Sequence, residues 1–401
     1  MKKDEKNPKH EANVPLDNAI DDVCRWLIDG KGCVLFLGAA FSARDSDGTG
    51  VPSTADLLRV LGRDPGEDLS EALENKYGPG TRGGLTYFFE TQLGSKSNTQ
   101  PIPKRGHYLA AQLPFRTVIT TNCDGLMEQA YESMWKDVAR VVLDEDLQKV
   151  ATRDVTIVKP HGCVVEARED DFFVFTKSQY KGFSSGRPLL VKWLTAILAT
   201  HHVLYLGYGI KDKNFLKVIE AGLGGDPLRR RNERLPPGSY AVLGEQDRPD
   251  FVLFANLTGI NLIQASAEEF MARLVAEYLW RLRARSRDCE GLLREAMNDS
   301  PRFVQNCRLA SLVGSIPIDL LQWELKSVKE EEKAQDYFWR FYQEGLLVPE
   351  MAADGQWYRL HKDVIRMCLR SISKVDRVLL LKEYKRFLSE YQQKNARGNS
   401  T

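Results

Sequence analysis

Four short stretches of the chain combine residue types that could hold a ligand and act on it. Gly38, Ala39 and Ala40 directly follow the apolar run Cys33–Leu37 and lead into Ser42. Small residues at that point let backbone approach a ligand closely, and a helix opening beyond would aim its N–H groups at a phosphate. The spacing is not G-x-G-x-x-G, so a tight strand–helix turn without a ligand accounts for this stretch equally well. The second stretch, Thr120-Thr121-Asn122-Cys123-Asp124-Gly125, offers an amide that both donates and accepts hydrogen bonds, with a carboxylate two residues on. The third, Pro160-His161-Gly162, carries an imidazole able to exchange a proton near neutral pH. A lone histidine at a strand end is more often a satisfied structural residue. The fourth, Gly207-Tyr208-Gly209-Ile210-Lys211-Asp212, is a second glycine turn.

The elements that must position these residues explain why the four belong together. Apolar, β-branched runs predict strands at Cys33–Gly38, Thr117–Thr121, Val155–Lys159, Val203–Gly207, Tyr240–Leu243 and Ile260–Ile263. Helical patterns at Ala55–Leu61, Gly125–Trp135, Pro188–Thr200 and Lys213–Glu220 separate most of them. Nearly continuous apolar strands alternating with helices predict a Rossmann-like, doubly wound parallel α/β sheet covered on both faces. The carboxyl ends of such strands share one edge, so all four stretches converge on one crevice. That convergence outweighs the structural explanation available for each alone. Two inserts interrupt the alternation at strand ends, where α/β folds build pockets. One covers about residues 62–105 and contains a short helix, Leu85–Leu93; the other covers about 164–187, where FFVFTKSQY reads as a strand entering a loop.

GAAFS, TTNCD, KPHG and LGYGIKD occur in the order of the Gly-Ala-Gly-x-Ser, Thr-x-Asn-x-Asp, His-Gly and late glycine elements of sirtuins. The chain thereby resembles the Sir2 (sirtuin) superfamily over about residues 20–265, most of all the Sir2-like domains of prokaryotic anti-phage defence proteins. FTKSQY resembles the Thr-x-x-x-Tyr segment of the same group. The resemblance implies that Gly38, Ala39, Ala40 and Ser42 form a diphosphate-binding loop and that Gly207 and Gly209 form a second nucleotide-contacting turn. It implies that Asn122 positions the nicotinamide ribose and an attacking water, that Asp124 binds the nicotinamide carboxamide, and that His161 is the catalytic histidine. NAD+ is then the substrate. The four-cysteine zinc ribbon of protein deacetylases is missing from the cysteine pattern, so no zinc is expected and water is the implied acceptor. An NAD+ hydrolase releasing nicotinamide and ADP-ribose is the leading reading. An NAD- or ADP-ribose-sensing module and a protein deacylase are the alternatives. Ala40 departs from the family pattern, which has glycine there.

At 401 residues the chain calls for more than one domain. Residues 1–15 are charged and read as disordered, 16–270 as the catalytic domain, 271–300 as a helical linker, and 301–401 as a helical, winged-helix-like domain. In the last, helices at Phe303–Val313, Ile318–Lys329 and Glu330–Gln343 precede a hairpin turning at Asp354–Gly355, and helices follow at Lys362–Ser371 and Val375–Gln393. This order resembles the winged-helix modules of signal-transducing NTPases, but no P-loop occurs, so any NTPase would be a separate protein. The third helix, EEEKAQDYFWRFYQEG, opens acidic and is rich in aromatics, which suits packing or a protein partner and weighs against DNA. A net charge of +1 likewise gives no whole-chain attraction to nucleic acid or membrane. Seven scattered cysteines with no C-x-x-C pair, and no apolar run near the ~18 residues of a membrane span, suit a cytoplasmic protein. The family resemblance implies a homo-oligomer with a phage-derived activator as a further partner.

Overall fold

A computed structural model describes residues 14–30, 32–78, 83–94, 96–97, 100–165, 173–208, 238–244, 260–285, 289–321, 323, 327–352 and 355–398. Gly209, Asp354, the Lys213–Glu220 helix and the segment 1–13 lie outside the described residues. The chain divides into two compact units, Met1–Val275 and Ala276–Thr401.

Runs such as CVLFL and VTIV leave no polar face, so their strands are stable only where both faces are covered. The first unit meets that demand with seven parallel strands: β1 (Cys33–Leu37), β2 (Thr117–Thr120), β3 (Val138–Val141), β4 (Val155–Val158), β5 (His202–Leu206), β6 (Tyr240–Leu243) and β7 (Asn261–Gln264). Their spatial order is β3-β4-β2-β1-β5-β6-β7. The chain therefore runs from β1 through β2 to the edge at β3, steps back to place β4 between them, and crosses to the other side of β1 at β5. β1 is the switch point at which open α/β sheets form their crevice. Its register sets Leu37 beside Thr120 on one side and Leu206 on the other, so the loops leaving β1, β2 and β5 start side by side.

The covering helices follow local sequence rules. Helix α1 (Leu16–Ile28) buries Ala19, Ile20, Val23 and Cys24, one face at helical spacing. Beyond β1 the expected helix is a single turn, α2 (Ala39–Ser42), and the chain then bridges Ala43 to Val51 before α3 (Thr54–Val60) begins at a Ser53 capping box. Helices α4 (Leu69–Tyr77) and α5 (Gly84–Leu93) fill the first insert. Their Leu73, Phe88 and Phe89 pack with Cys123, Leu126, Cys163 and Phe173, against the residues that follow β2 and β4. Helix α6 (Arg105–Gln112) precedes β2, and α7 (Leu126–Glu132) follows it. The second insert departs from expectation. Instead of a strand, Thr176 caps α8 (Lys177–Gly186) with its side chain on the Gln179 N–H, and the Gln179 side chain returns to the Phe175 and Thr176 amides. A reciprocal cap outweighs the β-propensity of three aromatic residues. Pro188 then opens α9 (Pro188–Thr200), whose Leu190, Leu194 and Leu198 lie on the sheet. The edge strand β3 was not expected: Arg140 interrupts its apolar run, and only Ala139 and Val141 are buried.

In the second unit, the C-terminal part of α10 (Ala267–Arg285) leads to α11 (Cys289–Asp299) and α12 (Pro301–Val313). Residues 318–329, expected as a helix, divide into a 3-10 turn at Ile318–Leu321 and the start of α13 (Val328–Gln343), which Ser327 caps. Ser315–Pro317 form β8, which joins the hairpin of β9 (Leu347–Ala352) and β10 (Gly355–Leu360) in a three-stranded antiparallel sheet. Helices α14 (Lys362–Ser371) and α15 (Lys374–Gly398) complete the unit. The aromatic run of α13 is core: Tyr337, Phe338, Phe341 and Tyr342 are all buried, Phe341 edge-on to Phe303 and Phe338 edge-on to Tyr358.

Two glycines separate conformational from steric demand. Gly30 has φ +66° in open space, whereas Gly207 has φ +62° and a Cβ there would stand 2.4 Å from the Phe41 nitrogen. Gly30→Ala is expected to cost about 1 kcal/mol for the left-handed backbone alone. Gly207→Ala is expected to cost about 3 kcal/mol or more, because strand ends must also separate. Equal denaturation midpoints for the two variants would contradict this.

Candidate active site

The loops after β1 and β5 are laced together by their own backbone. Gly38 N–H donates to Leu206 O (3.0 Å) and Ala40 N–H to Gly207 O (3.1 Å), while Phe41 N–H turns back to Gly38 O (3.0 Å). A Cβ on Gly38 would meet Tyr208 Cα at 2.4 Å, so neither Gly38 nor Gly207 tolerates a side chain. The glycines thus serve strand-to-strand contact first. Three of the amides at 38–41 are already donated within the protein, and α2 is one turn long, so the loop offers a ligand far fewer amides than the expected phosphate-facing helix would. Ala39 and Ala40 are exposed at the crevice, while Ser42 is buried.

Asn122 stands where β2 ends beside β1. Its Nδ2 donates to Gly38 O (3.0 Å) and to Ser42 Oγ (3.0 Å), and its backbone N–H to Thr120 Oγ1 (3.1 Å). Both amide hydrogens are engaged, which fixes the amide plane; among the described residues no donor meets Oδ1. Ser42 Oγ lies 3.1 Å from Nε2 of His107, whose Nδ1 accepts the Lys104 N–H at 3.1 Å. His107 is wholly buried, and burial, with Lys104 adding to it, pushes its pKa down to about 3. His107 does not stand out in the sequence. Its only sequence signal was a polar residue on the buried face of α6.

Asp124 is buried and its Oδ1 accepts the Leu126 N–H (3.0 Å), opening α7. Beneath it lies a charged cluster shut away from water. Lys159 and Glu128, each 1% exposed, pair at 2.7 Å, and Arg140 reaches Glu128 at 3.4 Å. The Lys159 ammonium also donates to Asp124 O and to Cys163 Sγ (3.6 Å). Burial disfavours that ammonium, but Cys163, Glu128 and Asp124 outweigh it and hold its pKa above the usual lysine range. The loop after β4 is thereby bound to the loop after β2, and Val164 N–H donates to Cys123 O (2.8 Å) as a second tie. His161 sits in this loop, 4% exposed, edge-on to Tyr180 (5.4 Å) and Phe175 (5.9 Å). Arg187, itself buried, donates to the carbonyl of Pro160 just before it. Asn122, Asp124, His161 and the 38–42 loop are thus drawn to one sheet edge. None of the seven cysteines is in a disulfide, and six are buried.

Residues 116–263 match the family model described as a SIR2-like domain. The chain carries a SIR2-like domain. The matched range holds Asn122, Asp124, His161 and Gly207, whereas the 38–42 loop lies before it. Among curated proteins, the chain is 26% identical over 251 residues to the NAD(+) hydrolase ThsA of Bacillus cereus (strain MSX-D12), covering 60% of this chain and 49% of that one. It is 24% identical over 248 residues to the NAD(+) hydrolase ThsA of Acinetobacter baumannii (strain 532279), covering 61% and 48%. It is 30% identical over 97 residues to defense-associated sirtuin 2 of Bacillus subtilis, covering 24% and 10%. The chain therefore spans at most about half the length of these relatives. No helix among the described residues is long and apolar enough to cross a membrane.

Two outcomes test the site's energetics. The unfolded-state pKa of histidine is ~6.5 and that of folded His107 is about 3, so between these values only the unfolded chain takes up the proton. Stability is then lost as pH falls below 6.5, by about 2 kcal/mol at pH 5. Chemical denaturation at pH 7 and pH 5 should show that loss in the wild type and its disappearance in His107→Gln. Separately, Lys159→Met should destabilise by about 3 kcal/mol, the lower end for a broken buried pair because Arg140 still faces Glu128. Adding Glu128→Leu should restore part of this loss, and strict additivity in a double-mutant cycle would argue against the pairing.

Proposed function

We propose that this SIR2-like domain hydrolyses NAD+ at the nicotinamide–ribose bond, as a regulated effector that depletes NAD+ in anti-phage defence. The observation that carries this reading is the Asn122 amide, fixed by Gly38 O and Ser42 Oγ at the switch point, with no donor among the described residues meeting its carbonyl oxygen. Loss of nicotinamide leaves positive charge on the ribose, and an immobile amide oxygen suits both that charge and a water held for attack. One water is consumed: its oxygen bonds to the anomeric carbon as the bond to nicotinamide breaks, and one proton is released with nicotinamide and ADP-ribose. His161, enclosed by Tyr180 and Phe175 but at the end of the neighbouring strand, suits exchange of protons with the ribose hydroxyls. Asp124, with Oδ1 committed to α7, would use its other oxygen on the carboxamide. The relatives named as NAD(+) hydrolases and as a defence-associated sirtuin support the substrate and the setting. The exposed Ala39 and Ala40 fit the approach of a diphosphate. Gly209 belongs to the same proposal through its motif alone. A homo-oligomer and a phage-derived activator or separate NTPase are the partners this reading carries.

The test is nicotinamide release from NAD+ by purified protein, with and without lysate of phage-infected cells. Asn122→Ala and His161→Ala are each expected to lower turnover by about 10²–10⁴-fold. Undiminished turnover in both variants would overturn the assignment.

A further inference from the structure

The Ser42–His107 pair has a hydrogen-bond polarity that can be worked out atom by atom. The Lys104 N–H points at Nδ1 of His107, so Nδ1 holds a lone pair and the neutral ring carries its proton on Nε2. Nε2 faces Ser42 Oγ, so histidine is the donor in that bond. Ser42 Oγ accepts a second bond from Asn122 Nδ2. A hydroxyl has two lone pairs and one proton; both lone pairs are occupied, and among the described residues no acceptor meets the proton. Ser42 can therefore only donate to whatever enters the crevice, and neither Ser42 nor His107 can take a proton from an attacking water. Gly38 O determines which way the Asn122 amide faces, and Ser42 Oγ is its second anchor.

We propose that His107 is a positioning residue: its Nε2–H pins Ser42 Oγ as an acceptor and, through it, holds the Asn122 amide in the orientation that the cleavage of NAD+ requires. The assignment rests on the hydrolase reading for its consequence, while its hydrogen-bond polarity stands independently of it. The charged and titratable groups around the ring are Lys104, Asp45 and Lys159; burial and the two lysines keep it neutral at physiological pH, against the opposing pull of the Asp45 carboxylate. Phe41, edge-on at 4.8 Å, supports one ring position.

Two substitutions separate positioning from packing. Glutamine places an N–H close to where Nε2 stood, whereas asparagine retains an acceptor toward the Lys104 N–H but is too short to reach Ser42. In full-length protein, His107→Gln should keep turnover within about threefold of wild type. His107→Asn should lose kcat by about 10²-fold with KM nearly unchanged, the scale of a misplaced reacting group. In a Ser42→Ala background the two variants should become equal. Equal turnover of the Gln and Asn variants while Ser42 is intact would overturn the proposal and leave the hydrolase reading intact. Nitrogen-15 spectra of labelled histidine and asparagine need no turnover. They should show the Nε2–H tautomer of His107 from pH 5 to 8, and Asn122 amide protons slow to exchange in wild type and His107→Gln but fast in His107→Asn. An Nδ1–H tautomer, protonation within that range, or equally slow exchange in all three would overturn it. A wild type silent toward NAD+ with infected-cell lysate, alongside the expected spectra, would sink the hydrolase reading alone.

Discussion

Hiding the ammonium of Lys159 beneath the sheet edge is costly unless every direction around it supplies an electron pair. Glu128, the Asp124 carbonyl and the Cys163 sulfur do so, each from a different position along the chain. Meeting that one cation therefore joins the end of β4 to the loop after β2 and to the first turns of α7. Asn122 and Asp124 on one loop and His161 on the other acquire their common frame from an interaction that none of them makes. Arg187 repeats the device on the outer side, holding the Pro160 carbonyl.

The centre of the sheet is fixed differently, by the absence of side chains. Gly38 and Gly207 bring two strand ends into backbone contact, and α2 is the single turn that this contact leaves room for. Asn122 then bridges from β2 to that turn, so three adjacent strands share one hydrogen-bond system running from Lys104 through His107 and Ser42 to Gly38. Charge in a dry environment holds one half of the edge, and close backbone approach holds the other.

Much of this was legible in the sequence. The parallel sheet followed from apolar runs with no polar face, and the convergence of four motifs followed from where such strands end. His107 was not legible, because a buried histidine inside an ordinary helix looks like any core position until its two ring nitrogens are seen to have different partners. Lys159 and Glu128 were hidden for a related reason: a charged residue in sequence reads as surface, and only folding reveals that the two neutralise each other. The second insert misled in the opposite direction. Phe172–Phe175 has strand composition, but Thr176 and Gln179 supply a cap, and capping geometry settled the local structure of α8. β3 lacks the continuous apolar run of the other strands because Arg140 lies within it, and β8 has only three residues.

Ala40, where the family pattern has glycine, takes on a different meaning beside Gly38 and Gly207. Its methyl group points to solvent at the crevice mouth, while its N–H serves the neighbouring loop through backbone alone. A side chain at position 40 is thus uncoupled from the strand-to-strand contact and meets only what enters the crevice. Positions 38 and 207 act as one steric unit, since a side chain at either pries apart the same pair of strands.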